Sequence, residues 1–177
     1  MDGNASFSAT IPDRLLRSVY EYWRELCRTL GRLPRRREID PLDLPPAFLP
    51  LAMILVREPS GRYLCELAGT KLLDMHKVKM TGMYVDEMMP AGPTASRETI
   101  YARALGDPCA AYCRLRFAIP GREFVASDRL YLPALSNDGD EVSVLFSGHV
   151  FLSIADLRGE EADEDGFYRR AFDLPIG

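Results

Sequence analysis

The sequence predicts an α+β domain: a five-stranded antiparallel sheet with helices on one face, preceded by an N-terminal amphipathic helix. Three observations lead to this fold class. Apolar residues recur at helical spacing over residues 15–30, five strand-like runs follow, and three helical segments fall between the second and third runs. Helices that connect those two strands must pack across the sheet, because each layer has to bury its apolar side. We therefore expect a cavity between the two layers.

The leading helix is predicted to begin near Thr10, whose hydroxyl can cap it, and to end at Gly31. One side of this helix is a continuous apolar stripe, which we predict to be the seam of a homodimer. Packing of the stripe against the chain's own sheet is the alternative. The predicted seam consists of Leu15, Leu16, Val19, Trp23 and Leu26.

An extended connector follows the helix, since the prolines between residues 34 and 50 forbid a regular helix. The strands are then predicted at residues 49–57, 62–67, 109–119, 122–132 and 141–153, with helical segments at 70–78, 81–90 and from 94 or 96 to 105. Turns are predicted at 58–61, at Pro120-Gly121 and at 137–140. The chain thus divides into a helix and Pro/Arg-rich connector (1–48), a sheet domain (49–153) and an acidic extension (154–177).

The net charge of −4 in this 177-residue chain lies in its last 22 residues, which hold seven acidic and three basic side chains. We expect this segment to be a solvated extension, with local docking of Phe167, Tyr168 and Phe172 as the alternative. The segment 23–37 is basic, with six arginines and one glutamate, and could contact an acidic partner. The overall acidity argues against broad nucleic-acid binding, because neutralising phosphates needs a basic face.

The cellular location is predicted to be cytoplasmic. The first residues lack a basic, apolar leader, and no apolar run reaches the length of a membrane span. The four cysteines are expected to be reduced. Cys109 and Cys113 are predicted not to form a disulfide or share a metal, because four residues along a strand span about 13 Å.

Several phrases of the sequence, taken together, resemble the PAS domain, and in particular a bacterial PAS family long described as a domain of unknown function. The resemblance covers residues 20–153 approximately, and Arg36 and Glu38 depart from the family phrase in which they fall. The phrases are Tyr22-Trp23-Arg24, Leu33-Pro-Arg-Arg-Arg-Glu-Ile-Asp-Pro41, Leu49-Pro50-Leu51, Ala68-Gly69-Thr70, Thr81-Gly82, Arg129-Leu-Tyr-Leu-Pro133 and Asn137-Asp-Gly139.

A PAS resemblance implies a sensor or interaction module. It does not imply an enzyme, and we predict no enzymatic activity. We predict that a small ligand binds between the sheet and the helices, and that the signal passes to a separate protein partner. A ligand-free interaction adaptor in bacterial regulation is the alternative. The residues predicted to line the pocket are Leu67, Met75, Met83, Tyr101, Tyr112, Arg114, Phe124, Ser127, Phe146 and His149.

No cofactor is predicted. His76 is the histidine on the helical side that could hold a haem, and its polar neighbours favour a surface position instead. The cysteines lack the neighbours of a flavin photosensor, and no glycine-rich phosphate loop is present. Arg114 and Arg116 alternate on one predicted strand, and one of them could bind a carboxylate or phosphate if its side chain faces inward. The alternative is that both lie at a solvated sheet edge. Asp128 and Asp140 are expected at turns or sheet edges.

Overall fold

The computed structural model describes residues 3–88, 91–116 and 124–175. The predicted turn at Pro120-Gly121 lies outside them. The helices are α1 (Gly3–Thr10), α2 (Arg14–Leu30), α3 (Thr70–His76), α4 (Val85–Met88), α5 (Ala91–Gly106) and α6 (Ile154–Leu157), and the strands are β1 (Ala52–Arg57), β2 (Tyr63–Ala68), β3 (Ala111–Arg116), β4 (Phe124–Leu135), β5 (Val142–Ser153) and β6 (Phe167–Phe172).

Within the described residues the sheet is antiparallel and has six strands in the order β2-β1-β5-β4-β3-β6. The α+β class and the antiparallel sheet are as predicted, but the prediction of five strands is wrong. The sixth strand comes from the acidic extension and pairs with the outer edge of β3, with Leu115 opposite Phe167 and Ala111 opposite Phe172. This pairing satisfies backbone groups that an edge strand would leave open.

Helix α2 begins later than predicted, because Asp13 and not Thr10 caps it. The Asp13 carboxylate accepts a hydrogen bond from the backbone N–H of Leu16 at 2.9 Å. The helix ends as predicted at Gly31, which has a positive φ of 65° and so suits a glycine.

The apolar stripe of α2 packs against the chain's own sheet, in a core cluster that includes β4 and β5. Leu16, Val19 and Trp23 are buried there, and the Trp23 ring N–H donates to the carbonyl of Pro133 at 3.1 Å. These three side chains therefore have no surface left for a second copy. The predicted seam needs correction accordingly, since Leu15 and Leu26 alone among its members remain half-buried.

The two faces of the sheet carry different layers. Helix α2 and the connector cover one face, where alternate residues of β4 and β5 such as Leu132 and Phe146 point. Helices α3 to α5 cover the opposite face, which is reached by the intervening residues such as Tyr131 and Leu145. We call these the connector face and the helical face.

The connector forms three short 3₁₀ turns, at Arg36–Glu38, Pro41–Asp43 and Pro46–Leu51. Its arginines pair within the chain: Arg32 with Glu38 at 2.8 Å, Arg35 with Asp140 at 2.7 Å and Arg36 with Glu66 at 2.8 Å. Arg24 and Arg28 also pair within the chain, with Asp173 and Glu25. Most of the basic charge that we predicted to be available to an acidic partner is therefore already paired.

Gly69 shows why the end of β2 needs a glycine. Its backbone N–H donates to the carbonyl of Ala52 at 2.8 Å, which draws it against the backbone of Leu49 and Pro50. A Cβ at this position would overlap the Pro50 carbonyl. The close approach fixes the start of α3 relative to β1, and α3 forms one wall of the site described next.

Candidate functional site

The residues predicted to line one pocket lie on both faces of the sheet. Tyr101, Ser127 and His149 are buried on the helical face, Met75 is buried on α3, and Met83 is half-buried before α4. The side chain of Phe124 lies outside the described residues. The other four predicted residues belong to the connector face, and they are Leu67, Tyr112, Arg114 and Phe146.

Arg114 faces inward, as the anion-binding hypothesis required, but its carboxylate comes from its own chain. Its guanidinium donates to both oxygens of Asp128, at 2.8 and 3.0 Å, and to Glu160 at 2.8 Å. The Tyr112 hydroxyl donates to Asp128 at 2.7 Å, and burial together with this carboxylate raises the Tyr112 pKa. Asp128 is thus a central, buried residue and does not lie at the predicted turn or edge, whereas Asp140 is exposed near the β4–β5 turn.

A small cavity lies on the helical face, between the sheet and the helices. Its volume is about 20 Å³, measured as the space that the centre of a water molecule can occupy. This is enough for one or two water molecules. Side chains from both layers line it. They are Met53, Arg129 and His149 from the sheet, and His76, Met80, Val85, Met88, Arg97 and Tyr101 from the helical side.

Arg97 brings a positive charge from α5 into this cavity. It is only 5% exposed, and its Nε atom has no hydrogen-bond partner. Burial, together with the nearby Arg129 charge, lowers the pKa of Arg97 to about 10. The guanidinium still carries its proton at neutral pH, so Arg97 is positively charged. The lowered pKa means that its surroundings disfavour this charge.

Arg129 brings a second positive charge from β4, and it is 2% exposed. Its Nε donates to the Ser127 hydroxyl at 2.7 Å, so the nearest partner is a neutral group. None of the ion pairs in the described part of the chain involves Arg97 or Arg129. Two buried guanidiniums therefore share one cavity without a carboxylate.

Two histidines complete the polar lining. His149 is 2% exposed, its Nε2 lies 3.4 Å from the Ser147 hydroxyl, and its Nδ1 has no partner. Burial and the charge of Arg129 lower the His149 pKa well below its usual value. The same causes lower the His76 pKa to about 4, so both rings are neutral at pH 7. His76 lines the cavity and is half-buried, contrary to the surface position predicted for it.

A second depression lies on the connector face and is almost entirely apolar. It has a volume of about 280 Å³, and Leu67 and Phe146 line it together with Ile39, Leu44 and Ile54. This places two predicted ligand residues at a surface separate from the cavity. Leu67 is at its exposed margin.

Of the described residues predicted to line the pocket, Tyr101 and His149 line this cavity, and the sequence reasoning missed Met53, Val85, Arg97 and Arg129. A signal for Arg129 was present, because Ser127, Arg129 and Tyr131 alternate along a strand whose other residues are mostly apolar. Such alternation puts three polar side chains on one buried face. Arg97 has no comparable signal, since its place at the cavity depends on how α5 crosses the sheet.

The four cysteines are buried free thiols. Among the described residues, no group of three or more His, Cys, Asp or Glu side chains is placed to hold a metal ion. The described helices include none that is both long and apolar enough to cross a bilayer.

A sequence model of the PAS domain matches residues 13–148, which is most of the chain. Comparison with curated proteins and with solved structures gave no match. The matched region runs from the cap of α2 into β5 and contains the residues that line the cavity except His149, which directly follows it. PAS domains typically serve as sensory, signalling or interaction modules and not as enzymes.

Proposed function

Because this chain belongs to the PAS domain family, we propose that it is a sensory module that binds a small ligand in the helical-face cavity and signals through a separate protein partner. The observation that carries the proposal is the lining of that cavity. Met53, Arg129 and His149 come from the sheet, whereas Val85 and Arg97 come from α4 and α5. A molecule held there touches both layers, so its presence changes how the helices rest on the sheet.

The buried polar groups also support a ligand. Buried guanidinium and imidazole nitrogens without partners cost free energy, and proteins keep few of them. Arg97 and His149 both present such nitrogens at the cavity. A bound molecule that supplies the missing partners would recover this free energy, which gives the filled state a preference over the empty one.

A cytoplasmic homodimer remains part of the proposal. PAS domains commonly mediate dimerisation and signalling contacts, and the four free thiols suit a reducing compartment. The ligand-free adaptor is the weaker alternative, because both features that favoured it are engaged within the chain. The apolar stripe of α2 packs on the sheet, and Arg32, Arg35 and Arg36 pair with acidic side chains of the same chain.

The test is to fill the cavity. Freshly purified full chain is denatured, and the small molecules released are identified by mass spectrometry and proton NMR. We expect a released compound from the natural sequence and its loss from Val85→Phe, which places a ring in the cavity. Val78→Phe is the matched control, because Val78 is exposed and does not line the cavity. Adding the released compound back should slow hydrogen exchange in α4 and α5.

A compound released equally from Val85→Phe would place the ligand elsewhere. Release of nothing from the natural sequence, with hydrogen exchange of α4 and α5 unchanged by extracts of small metabolites, would contradict the sensory function. Circular dichroism checks that Val85→Phe is folded, and Val85→Leu is the milder filling variant should the ring prevent folding.

A further inference from the structure

We propose that the helical-face cavity binds a small carboxylate anion, held by Arg97 and Arg129. The inference rests on the proposed function, since it names the ligand class of the same cavity. The charges of the side chains that line the cavity are the first observation. Among the described residues, the cavity lining includes two guanidiniums, two neutral imidazoles, a phenol and apolar side chains, but no carboxylate.

The burial of these charges points to a missing anion. A buried cation normally has an acidic partner, because taking an unpaired charge out of water is costly. Arg114 on the opposite face follows this rule through Asp128. Arg97 and Arg129 have no such partner in the described part of the chain, and a neutral ligand would leave both charges uncompensated.

The chemistry of the donors narrows the class of anion. A guanidinium presents parallel N–H groups that match the two oxygens of a carboxylate. Arg97 keeps its Nε free for such a contact, and the unpartnered Nδ1 of His149 lies in the same lining. Met53, Met80 and Val85 surround these groups, so the non-polar end of a short carboxylate meets apolar side chains.

The size of the cavity limits the ligand. With a volume of about 20 Å³, the cavity holds a ligand of only a few non-hydrogen atoms while the helices keep their present positions. Formate and acetate fall in this range. Phosphate esters and nucleotides are larger and would need the helices to move away from the sheet.

The experiment uses acetate as the probe. The full chain is dialysed into a zwitterionic buffer free of small anions, and its melting temperature and heat of binding are followed as sodium acetate is added. We expect saturable binding and a rise in melting temperature of about 5–10 °C at a hundredfold excess over Kd. Sodium chloride at equal ionic strength should give no saturable rise.

Arg97→Met and Arg129→Met should each abolish the acetate response, because each removes one of the two charges. Arg103→Met is the matched control: Arg103 lies on the same helix, is exposed and pairs with Asp107 at 2.8 Å. It should respond as the natural sequence does. Arg97→Lys and Arg129→Lys, which keep the charge without the paired N–H groups, should bind acetate more weakly.

Three results would overturn the inference. These are an equal, saturable response to chloride, a response to phosphate with none to acetate, and an acetate response that survives both methionine variants. A result that contradicts carboxylate binding can be distinguished from one that contradicts the sensory function. A neutral compound released from the natural chain but not from Val85→Phe would support the sensory function while contradicting the anion.

Discussion

Arg114 and Arg129 lie on neighbouring strands of one sheet and are almost equally buried, at 5% and 2% exposure. They face opposite sides. Arg114 meets a carboxylate on the connector face, where Asp128 accepts from it at 2.8 Å. Arg129, the next residue after Asp128, points to the helical face, where its Nε donates to the neutral hydroxyl of Ser127.

These two arginines show how a buried charge that stabilises the fold can be distinguished from one that is available to a ligand. Burial alone does not distinguish them, because both guanidiniums are inside the protein. The partner distinguishes them. A buried cation that is neutralised by a carboxylate of its own chain stabilises the fold, whereas a buried cation without such a partner at a cavity can be neutralised by a bound ligand. The sequence analysis named Arg114 as a residue that could bind an anion, but its guanidinium is paired with Asp128, and we therefore propose Arg129 for that role.

The largest expected effect comes from removing the paired arginine. Arg114→Met should lower the free energy of unfolding by about 3–5 kcal/mol, because it leaves Asp128 buried without its cation. Urea denaturation followed by circular dichroism measures the change. Glu160→Gln is the control, since Glu160 lies nearer the surface and its loss should cost less than about 1 kcal/mol. Equal losses of unfolding free energy in the two variants would mean that burial does not determine how much the Arg114–Asp128 pair stabilises the protein.

The same substitution at the unpaired arginine should act in the opposite direction. In anion-free buffer, Arg129→Met is expected to raise the free energy of unfolding by about 1 kcal/mol or more, because it removes a buried charge that no carboxylate compensates. Urea denaturation under the same conditions gives the comparison. A loss of stability as large as that of Arg114→Met would show that Arg129 has a stabilising partner in the folded chain.

A third expected effect is a dependence of stability on pH, which arises from the two histidines of the helical face. Burial lowers the folded-state pKa of His149, so below pH about 6.5 the unfolded chain takes up a proton that the folded chain does not. Stability should therefore fall as the pH drops from 7 to 5, with a slope of up to about 1.4 kcal/mol per pH unit from His149. His76 acts in the same direction, since its pKa is lowered to about 4.

His149→Gln should make this slope shallower, as measured by urea denaturation at half-unit steps of pH. An unchanged slope would mean that His149 is protonated, or exposed, in the folded protein. The acidic groups with lowered pKa, such as Glu38 at about 2, begin to contribute near pH 5, and they contribute equally to the natural chain and to His149→Gln, so they cancel from the difference between the two slopes.

The sequence was sufficient for the layout of the fold. Apolar runs separated by turn residues predicted β1 to β5, and helical spacing predicted α2, α3 and α5. Strand β6 was missed because the acidic run at residues 160–165 gives its segment the composition of a solvated tail. The side chains that hold β6 in place are distant in sequence: Glu160 contacts Arg114, and Asp173 accepts from Tyr20 at 2.6 Å.

The site was less predictable, for a physical reason. Alternation along β3 and β4 shows which residues share a face, but not which residue stands opposite which. The pairing of Arg114 with Asp128 depends on the register of the two strands, and the sequence between them does not determine it. The approach of Arg97 to Arg129 depends further on the angle at which α5 crosses the sheet.

Strand β6 has a consequence for the order in which the chain is made. Domains form from the N-terminus during synthesis, and α2 and β3 are available long before the ribosome reaches Asp173. Until then the outer edge of β3 is open, and the hydroxyl of Tyr20 lacks its acidic acceptor. The nascent protein therefore passes through a stage in which the outer edge of β3 is unpaired, and this exposure ends when the residues of β6 emerge and pair with that edge.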